Sequence, residues 1–589
     1  MRKMRLTGLL TLLAIVAMVA AGCGGSDENG GSGTSDDASP AKGKQGGKLT
    51  FLAAADIDYL DTGQTYYTFG YQVAYATNRP LYSFSPDKPD EPQADLADGE
   101  AQISEDLKTI TVKLKSGIKY APPVNREVKS EDVKYAMERA FSANVPSGYA
   151  TSYFGDIVGA PDAPTKGVKE ISGIETPDPQ TIVFKLDRPT AVAVVQAMAM
   201  PITVPIPKEY AEEFDAKSPS TFSQYQTFTG PYMVRNDPKT GKTVGHDPGK
   251  RLELVRNPNW DKASDYRAAY LDEVTIEQGN DDLTVAARRA LSGQAMACCD
   301  SGQPPIPVFA RALKDSKEQV GRVAGGGTRW IALNTTEKPF DNINVRKAVI
   351  AGFDRNALRL TRGGAEIGKI ATHWIPPGLP GHEESGAEKG FAEFDYMQKP
   401  EGDPALAQKY LDAAKADGVD ISGLGKLLYI GTNADPGNQT AQVAAGQFEK
   451  LGFKLNYRKV PQDTLYTKFC GIPKSKYVIC PNVGWFKDFN DPQSLLEPTF
   501  KGAAIKPAGN VNWSQLDDKA IDDAMDKASL VAAGPERSKA WAEINKSIVA
   551  QAIGVPYVWD DNVNVFSKDV NGVMNAYFAG PDFSFISLK

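Results

Sequence analysis

The sequence predicts an α/β protein with parallel strands and more than one domain. The clearest evidence is a strand at Lys426–Ile430, a helix at Asn438–Leu451 and an alternating strand at Phe453–Tyr457. Strands that are joined through a helix run parallel in one sheet. The chain has 589 residues, of which 41% are hydrophobic and 24% are charged. That is ordinary globular composition, and the length suits roughly two to four domains.

Other elements follow in chain order from the spacing of apolar residues. Strands are predicted at Lys48–Leu52, Thr109–Leu114, Thr181–Leu186, Trp330–Asn334 and Val555–Trp559. Helices are predicted at 404–417, between an Asp403 N-cap and Gly418, and at Leu516–Leu530 and Pro535–Ile553. Tyr67, Tyr71 and Tyr75 recur every fourth residue, which predicts a helix face in the core.

The N-terminus has the pattern of an export signal. Basic residues precede the apolar segment Leu6–Ala21, which is too short to span a bilayer comfortably. The sequence Ala20-Ala21-Gly22-Cys23 resembles a lipobox, so residues 1–22 are predicted to be removed and Cys23 to be acylated. A plain secretory signal that happens to end near a cysteine is the alternative.

Residues 24–47 are rich in Gly, Ser and Asp and contain no apolar residue larger than proline. With Cys23 they predict a lipidated, flexible tether at 23–47, about 25–30 Å long as a random coil. We therefore expect a lipid-anchored body on the outer face of the cytoplasmic membrane. No later run of 18 apolar residues follows.

Four cysteines remain in a chain that is predicted to be exported, where disulfides can form. Cys470 and Cys480 flank a turn-rich segment and predict a disulfide that closes a hairpin, which would contribute about 2–3 kcal/mol. Cys298 and Cys299 are adjacent, and both a bridge and two free thiols remain open. The chain has only three histidines, and none has ligand spacing to a cysteine, so no metal site is predicted.

The candidate site is the segment 484–492, Gly-Trp-Phe-Lys-Asp-Phe-Asn-Asp-Pro. Asp488 lies among the aromatic residues Trp485, Phe486 and Phe489, and the segment contains no arginine. A carboxylate in such surroundings is costly to desolvate unless a cation meets it. We expect that cation to come from a ligand.

This segment resembles the ligand segment of family 5 extracytoplasmic solute-binding proteins of ABC importers, which include oligopeptide- and dipeptide-binding proteins. Further resemblance lies in Pro92–Ala97, Lys115–Tyr120, Thr229–Tyr232, Arg251–Trp260 and Lys338–Ala348, in the family's order. It departs from the family pattern at 121–125, where His-Asp-Gly is usual.

The resemblance implies a periplasmic-binding-protein-like α/β fold of type II, in its large three-domain form. Two lobes would close on a hinge around a ligand cleft. Domain I would combine 48–85, 200–328 and 560–589, domain II would be the insert 86–199, and domain III would be 329–559. The protein would be a monomer that uses no cofactor.

The resemblance also implies a function. Asp488 would receive the α-ammonium of a peptide, with Gly484, Trp485, Phe486 and Tyr66 as further ligand-binding residues. The loaded protein would deliver its peptide to membrane permease subunits that cytoplasmic ATPases drive. The balance of 66 basic and 73 acidic residues argues against a nucleic-acid partner.

Several alternatives stay open at this stage. The same fold could bind a sugar, an opine or a metal chelate, for which His373 beside Trp374 is the best local candidate. It could also serve as a surface receptor or chaperone. A penicillin-binding acyl-enzyme is suggested by Ser116-x-x-Lys119, Ser142-x-Asn144 and Lys239-Thr240-Gly241. Its nucleophile should open a helix, but Ser116 is predicted in a turn between strands, so we expect no enzyme.

Overall fold

A computed structural model describes residues 43–54, 56–299, 304–433, 435–507 and 509–589. The predicted signal peptide and Cys23 lie outside the described residues. The end of the predicted tether, 43–47, is described and is tied to the folded body: Gly46 N–H donates to Tyr270 O at 2.7 Å and Gly47 N–H to Asp272 Oδ2 at 2.9 Å. No described helix is long and apolar enough to cross a membrane.

The strands, in chain order, are β1 Lys48–Leu52, β2 Tyr82–Ser85, β3 Lys88–Ala94, β4 Gln102–Ile103, β5 Thr109–Lys113, β6 Ile174–Asp178, β7 Thr181–Lys185, β8 Tyr232–Val234, β9 His246–Asp247, β10 Arg251–Arg256, β11 Glu273–Glu277, β12 Ala297–Cys298, β13 Val320–Ala324, β14 Gly327–Leu333, β15 Gly368–Lys369, β16 Leu427–Thr432, β17 Leu455–Val460, β18 Ile479–Phe486, β19 Gly554–Phe566, β20 Val570–Asn571, β21 Met574–Asn575, β22 Gly580–Pro581 and β23 Ser587–Leu588.

The helices are α1 Thr68–Thr77, α2 Ser130–Arg139, α3 Ala150–Phe154, α4 Ala191–Ala197, α5 Lys208–Asp215, α6 Leu283–Leu291, α7 Ile306–Asp315, α8 Ile343–Gly352, α9 Arg355–Leu360, α10 Pro404–Ala416, α11 Gly437–Lys450, α12 Gln462–Thr464, α13 Gln493–Phe500, α14 Lys519–Ser529 and α15 Pro535–Ala550. A π-helical stretch, Leu465–Cys470, continues α12.

The largest sheet has the order β17-β16-β18-β14-β19-β12-β1-β11-β10-β8. β16 runs parallel to both β17 and β18, which confirms the parallel pair expected from the strand–helix–strand pattern. The long strand β19 pairs with β14 near its start and with β12 and β13 near its end. A separate sheet, β4-β5-β7-β6, lies within the predicted insert.

The apolar core is divided in the same way as the sheets. One cluster is drawn from residues 330–558, a second mainly from 71–202, and a third mainly from 49–297 and 566–586. β19 contributes Val558 to the first cluster and Phe566 to the third, so this strand runs from one core to another. Gly325 and Gly326 join β13 to β14, and both of these strands pair with β19.

Several local predictions differ from the structure. Leu465–Cys470 is helical, so the disulfide between Cys470 and Cys480 joins a helix to β18 and closes no hairpin. Cys298 and Cys299 are also bridged in the structure. Of the predicted tyrosine stripe, Tyr71 and Tyr75 are buried on α1, but Tyr67 precedes the helix and is 69% exposed. Asp403 caps α10 as expected, accepting from Leu406 N–H at 3.1 Å.

A buried ion cluster ties distant segments together. Arg139 on α2 is fully buried and donates to Asp61 at 2.7 and 2.8 Å and to Asp215 at 2.6 and 2.7 Å. The three side chains come from the segment before α1, from α2 and from the end of α5. Because guanidinium and carboxylates are all desolvated, removing one partner leaves a buried charge without compensation.

We therefore expect Arg139→Ala to lower the free energy of unfolding by about 3–5 kcal/mol in urea titrations. Arg251→Ala is the matched control, since Arg251 pairs with Glu253 at 3.1 Å and is 55% exposed. That change should cost less than about 1 kcal/mol. Equal losses in the two variants would contradict a structural role for the buried cluster.

Candidate ligand-binding site

The candidate segment begins with the last three residues of β18, Gly484–Phe486, and continues past the end of that strand, whose parallel neighbour is β16. β18 ends at Phe486, the chain turns through 487–492, and α13 begins at Gln493. Residues 487–492 therefore lie beyond the carboxyl end of a parallel strand, where ligands of open α/β sheets bind. Lys487 N–H donates to Gly326 O at 2.9 Å and fixes the start of the turn next to β14.

Asp488 is met by tyrosines from three separate parts of the chain. The hydroxyl of Tyr66 donates to Asp488 Oδ2 at 3.1 Å, and the hydroxyl of Tyr153 donates to the same oxygen. Tyr577 donates to the backbone carbonyl of Asp488 at 3.0 Å. Asp488 N–H donates to Ser494 Oγ at 3.3 Å. Oδ1 accepts no hydrogen bond from a residue that the structure describes.

The carboxyl group of Asp488 lacks a counter-ion among the residues that the structure describes. Among the described residues, no Lys, Arg or His forms an ion pair with it. Burial raises the pKa of the Asp488 carboxyl to about 7, although the hydrogen bonds from Tyr153 and Tyr66 work in the opposite direction. The side chain is partly buried. Ionising this carboxyl is therefore costly without a nearby cation.

Local structure explains why Tyr66 points at Asp488. Asp58 accepts the backbone N–H groups of Tyr66 and Tyr67 at 2.6 and 3.1 Å and the hydroxyl of Thr65 at 2.7 Å. These bonds hold the turn before α1. The Tyr66 ring then packs against Tyr149, with ring centres 5.1 Å apart. Its orientation is therefore set by neighbours on both sides.

Tyr153 and Tyr577 were not predicted from the sequence as site residues. Tyr153 lies on α3, and its ring meets Phe489 edge-on at 5.0 Å. Phe489 is fully buried in the core cluster of residues 71–202. Tyr149 and Tyr153 are four residues apart, a spacing that places both on one helix face. This spacing is the signal in the sequence from which Tyr153 could have been found.

The predicted aromatic neighbours lie on opposite sides of β18. Trp485 faces Tyr66 at 6.3 Å, and its indole N–H donates to Ser494 O at 3.1 Å. Phe486 packs on the other side, where a Cβ on Gly327 would come within 2.5 Å of its ring. The guanidinium of Arg329 stacks on that ring at 4.9 Å. Phe486 therefore supports the turn, and Trp485 borders the side where Asp488 meets its tyrosines.

The structure does not place His373 and Ser116 as their alternative functions require. His373 is fully buried, bonded to Ala387 O at 3.0 Å and to Asn545 at 3.1 Å, and burial lowers its pKa to about 3. It packs on Trp559 as a neutral core residue. Ser116 is exposed in a turn after β5 and opens no helix. No group of metal ligands occurs among the described residues.

Comparison with known proteins identifies the family. The pattern of "Bacterial extracellular solute-binding proteins, family 5 Middle" matches residues 91–507. The chain belongs to this family. The oligopeptide-binding protein OppA of Bacillus subtilis is 26% identical over 412 residues, 69% of each chain. The dipeptide-binding protein of Pseudomonas aeruginosa is 25% identical over 80% of this chain and 82% of that protein.

Solved structures agree on the fold. The structure is similar to "Clavulanic acid biosynthesis oligopeptide binding protein 2" (TM-score 0.82, 25% identity, 93% of this chain and 96% of that one). It is also similar to DppA of Helicobacter pylori in complex with peptide STSA (TM-score 0.72, 20% identity, 92% and 98%). The predicted periplasmic-binding-protein-like α/β fold is confirmed. Its family consists of extracellular binding proteins, so this chain is an extracytoplasmic solute-binding protein.

The raised pKa of Asp488 has a consequence for stability that can be measured. In the unfolded chain a carboxyl titrates near pH 4, whereas in the folded protein it titrates at about 7. Raising the pH between these values therefore ionises the unfolded state first and destabilises the fold, by at most about 1.4 kcal/mol per pH unit.

Asp488→Asn removes this ionisation and keeps an oxygen acceptor for the tyrosines. Its free energy of unfolding relative to the wild type should rise from pH 4 to 7 and then stay level, in urea titrations across that range. A difference that is constant from pH 4 to 8 would show that the carboxyl titrates normally. Asp523→Asn, at an exposed position, is the control.

Proposed function

We propose that this protein is the membrane-anchored substrate-binding component of an ABC importer for peptides. The observation that carries the proposal is the carboxylate of Asp488, held by tyrosine hydroxyls at one oxygen, without a cation among the described residues. The proposal is supported by relatives and structural neighbours named for oligopeptide, dipeptide and peptide binding.

The α-ammonium of a peptide suits this arrangement. It carries a full charge and several N–H donors, and it would meet Oδ1 while Tyr66 and Tyr153 keep Oδ2. Such charge-assisted hydrogen bonds are short and about twice as strong as neutral ones. The ammonium would also lower the pKa of Asp488 from about 7, so that binding and ionisation favour each other.

Backbone pairing would hold the rest of the peptide. β18 pairs with β14 along one edge, but on the other edge it pairs with β16 at Ile479 alone. A peptide could add as a strand to the unpaired part of that edge, next to Gly484–Phe486. Main-chain hydrogen bonds give affinity without requiring particular side chains, so we expect broad sequence tolerance.

Closure of the two lobes would enclose the peptide. We propose the division into domain I at 48–85, 200–328 and 560–589, the insert at 86–199, and domain III at 329–559. On that division Tyr66 and Tyr577 belong to domain I, Tyr153 to the insert and Asp488 to domain III. A ligand that contacts both lobes better when they are closed shifts the equilibrium to the closed form.

Asp488→Asn should lower the affinity for peptides with a free amino terminus by several kcal/mol, roughly 100-fold or more, because a buried charge pair is left half-made. Isothermal titration calorimetry on protein freed of co-purified ligand measures the change. N-acetylated peptides should bind the wild type as weakly as free peptides bind the variant.

Asp523→Asn serves as the matched control, since Asp523 is a half-exposed partner of Lys519 at 2.7 Å, far along the chain on α14. It should bind as the wild type does. Unchanged affinity of Asp488→Asn for free peptides would remove Asp488 as the anchor. Mass spectrometry of the ligand that co-purifies would then name the solute class directly.

The proposed anchor is tested separately. Cys23→Ser should release the protein from the membrane fraction into the medium or periplasm, because acylation of Cys23 supplies the only membrane attachment that we propose. Fractionation and immunoblotting give the result, and intact mass detects the acyl chains. A variant that stays with the membrane fraction would contradict lipid anchoring without affecting peptide capture.

A further inference from the structure

The ligand segment contains a second aspartate, Asp491, whose surroundings differ from those of Asp488. The side chain of Asp491 is 8% exposed. Arg537 donates to it through Nε to Oδ2 at 2.6 Å and through Nη2 to Oδ1 at 3.1 Å. Two parallel bonds between a guanidinium and a carboxylate are strong and fix the geometry of both groups. Of the two carboxylates in segment 484–492, Asp491 therefore has its counter-ion within the protein.

Arg537 joins the ligand segment to two helices. It lies in the first turn of α15, and its side chain is 3% exposed. Nη2 also donates to Gln493 Oε1 at 2.8 Å. Nη1 faces carbonyl oxygens at and just after the end of α14, those of Ala528, Ser529 and Val531, at 2.8, 3.2 and 3.0 Å. All three nitrogens are thus engaged inside the protein, so Arg537 is placed to hold the segment and not to bind a solute.

Ser494 extends this hold from Asp491 to Asp488. Its fully buried hydroxyl lies 2.8 Å from the carbonyl oxygens of Phe489 and Asp491. The same hydroxyl accepts Asp488 N–H at 3.3 Å, and Ser494 O accepts the indole N–H of Trp485 at 3.1 Å. The backbone of Asp488 is therefore tied through Ser494 to the part of the segment that Arg537 fixes.

These contacts and the tyrosine contacts come from different parts of the chain. On the proposed division, residues 484–494 and 528–537 all belong to domain III. Tyr66 and Tyr577 belong to domain I, and Tyr153 belongs to the insert. If the lobes separate at a hinge as proposed, the tyrosines move away from Asp488, whereas contacts within domain III are kept.

We propose that Arg537, acting through Asp491, and Ser494 are positioning residues that hold the turn of Asp488 in its binding geometry before a ligand arrives. This inference rests on the proposed function, in which Asp488 receives an α-ammonium. A turn that is ordered in advance does not have to be ordered on binding, and this raises affinity. The gain is restricted to ligands that use Asp488, because Arg537 and Ser494 act only through the turn.

The first test compares tri-alanine with N-acetylated tri-alanine, because only the free peptide uses the carboxylate of Asp488. Isothermal titration calorimetry on ligand-free protein gives the ratio of the two dissociation constants. In Arg537→Gln the preference for the free peptide should fall roughly 3- to 10-fold, since binding must then order the turn. The acetylated peptide should bind as it does to the wild type. An unchanged preference in the folded variant would overturn the inference.

Two further variants remove the support without leaving a buried charge. Arg537→Gln leaves Asp491 without its counter-ion, which destabilises the fold. The double variant Asp491→Asn/Arg537→Gln removes both charges, and Ser494→Ala removes only a hydroxyl. Both should lower the preference by a similar factor, and circular dichroism melting shows whether each is folded. A wild-type preference in both would overturn the inference even if Arg537→Gln does not fold.

Arg346→Gln is the matched control. Arg346 is a 6% exposed arginine of the same proposed domain, and it donates to Phe340 O at 2.6 Å and to Gln551 O at 2.9 Å. Its loss weakens the domain without touching the turn, so the preference for the free peptide should stay at the wild-type value. A fall as large as that in Arg537→Gln would show that the preference follows domain stability, and would contradict the positioning role.

Hydrogen exchange separates this inference from the proposed function, since it needs no ligand. In ligand-free Ser494→Ala and in the double variant, amides within 485–494 should exchange roughly 5-fold faster than in the wild type, as for the loss of one hydrogen bond. Arg346→Gln should leave them unchanged. Unchanged protection in the first two variants would overturn the positioning role. Faster exchange, together with equal binding of free and acetylated tri-alanine by the wild type, would support the positioning role and reject Asp488 as the anchor.

Discussion

The structure is arranged around one electrostatic problem, a partly buried carboxylate at Asp488 that has no counter-ion among the described residues. Two tyrosine hydroxyls reduce the cost of ionising it, but its pKa still stays near 7. The surrounding parts keep those donors in place: Asp58 orders the turn that carries Tyr66, and α3 carries Tyr153. A cation from a ligand would supply a counter-ion for this carboxylate.

Much of the architecture could be predicted because it depends on local sequence patterns. The strand–helix–strand unit gave β16, α11 and β17 within a few residues, and capping by Asp403 located α10. An acidic residue among aromatic residues led to the prediction of Asp488 as a ligand contact, because a charge is costly to desolvate there. The order of the short motifs then indicated the family, although no single motif was specific.

The remaining features depend on contacts between distant residues. Tyr153 and Tyr577 contact Asp488 from 335 and 89 residues away in the chain. No local sequence pattern predicts such a contact. The sequence placed Phe486 with Trp485 but could not tell that Phe486 would stack on Arg329. The predicted hairpin at Cys470 was wrong because the segment Leu465–Phe469 suits a helix as well as a strand.

Phe489 has a consequence for the protein without ligand. Its ring leaves the sheet that carries β18 and is fully buried among residues 71–202, against Tyr153. Separating those surfaces would expose the ring to water, which costs about 2–3 kcal/mol. If the lobes separate at a hinge as proposed, this contact opposes opening, and a solute must wait for a minor, open population before it can enter. Capture should accordingly be slower than diffusion, with a rate set by the protein's own motion.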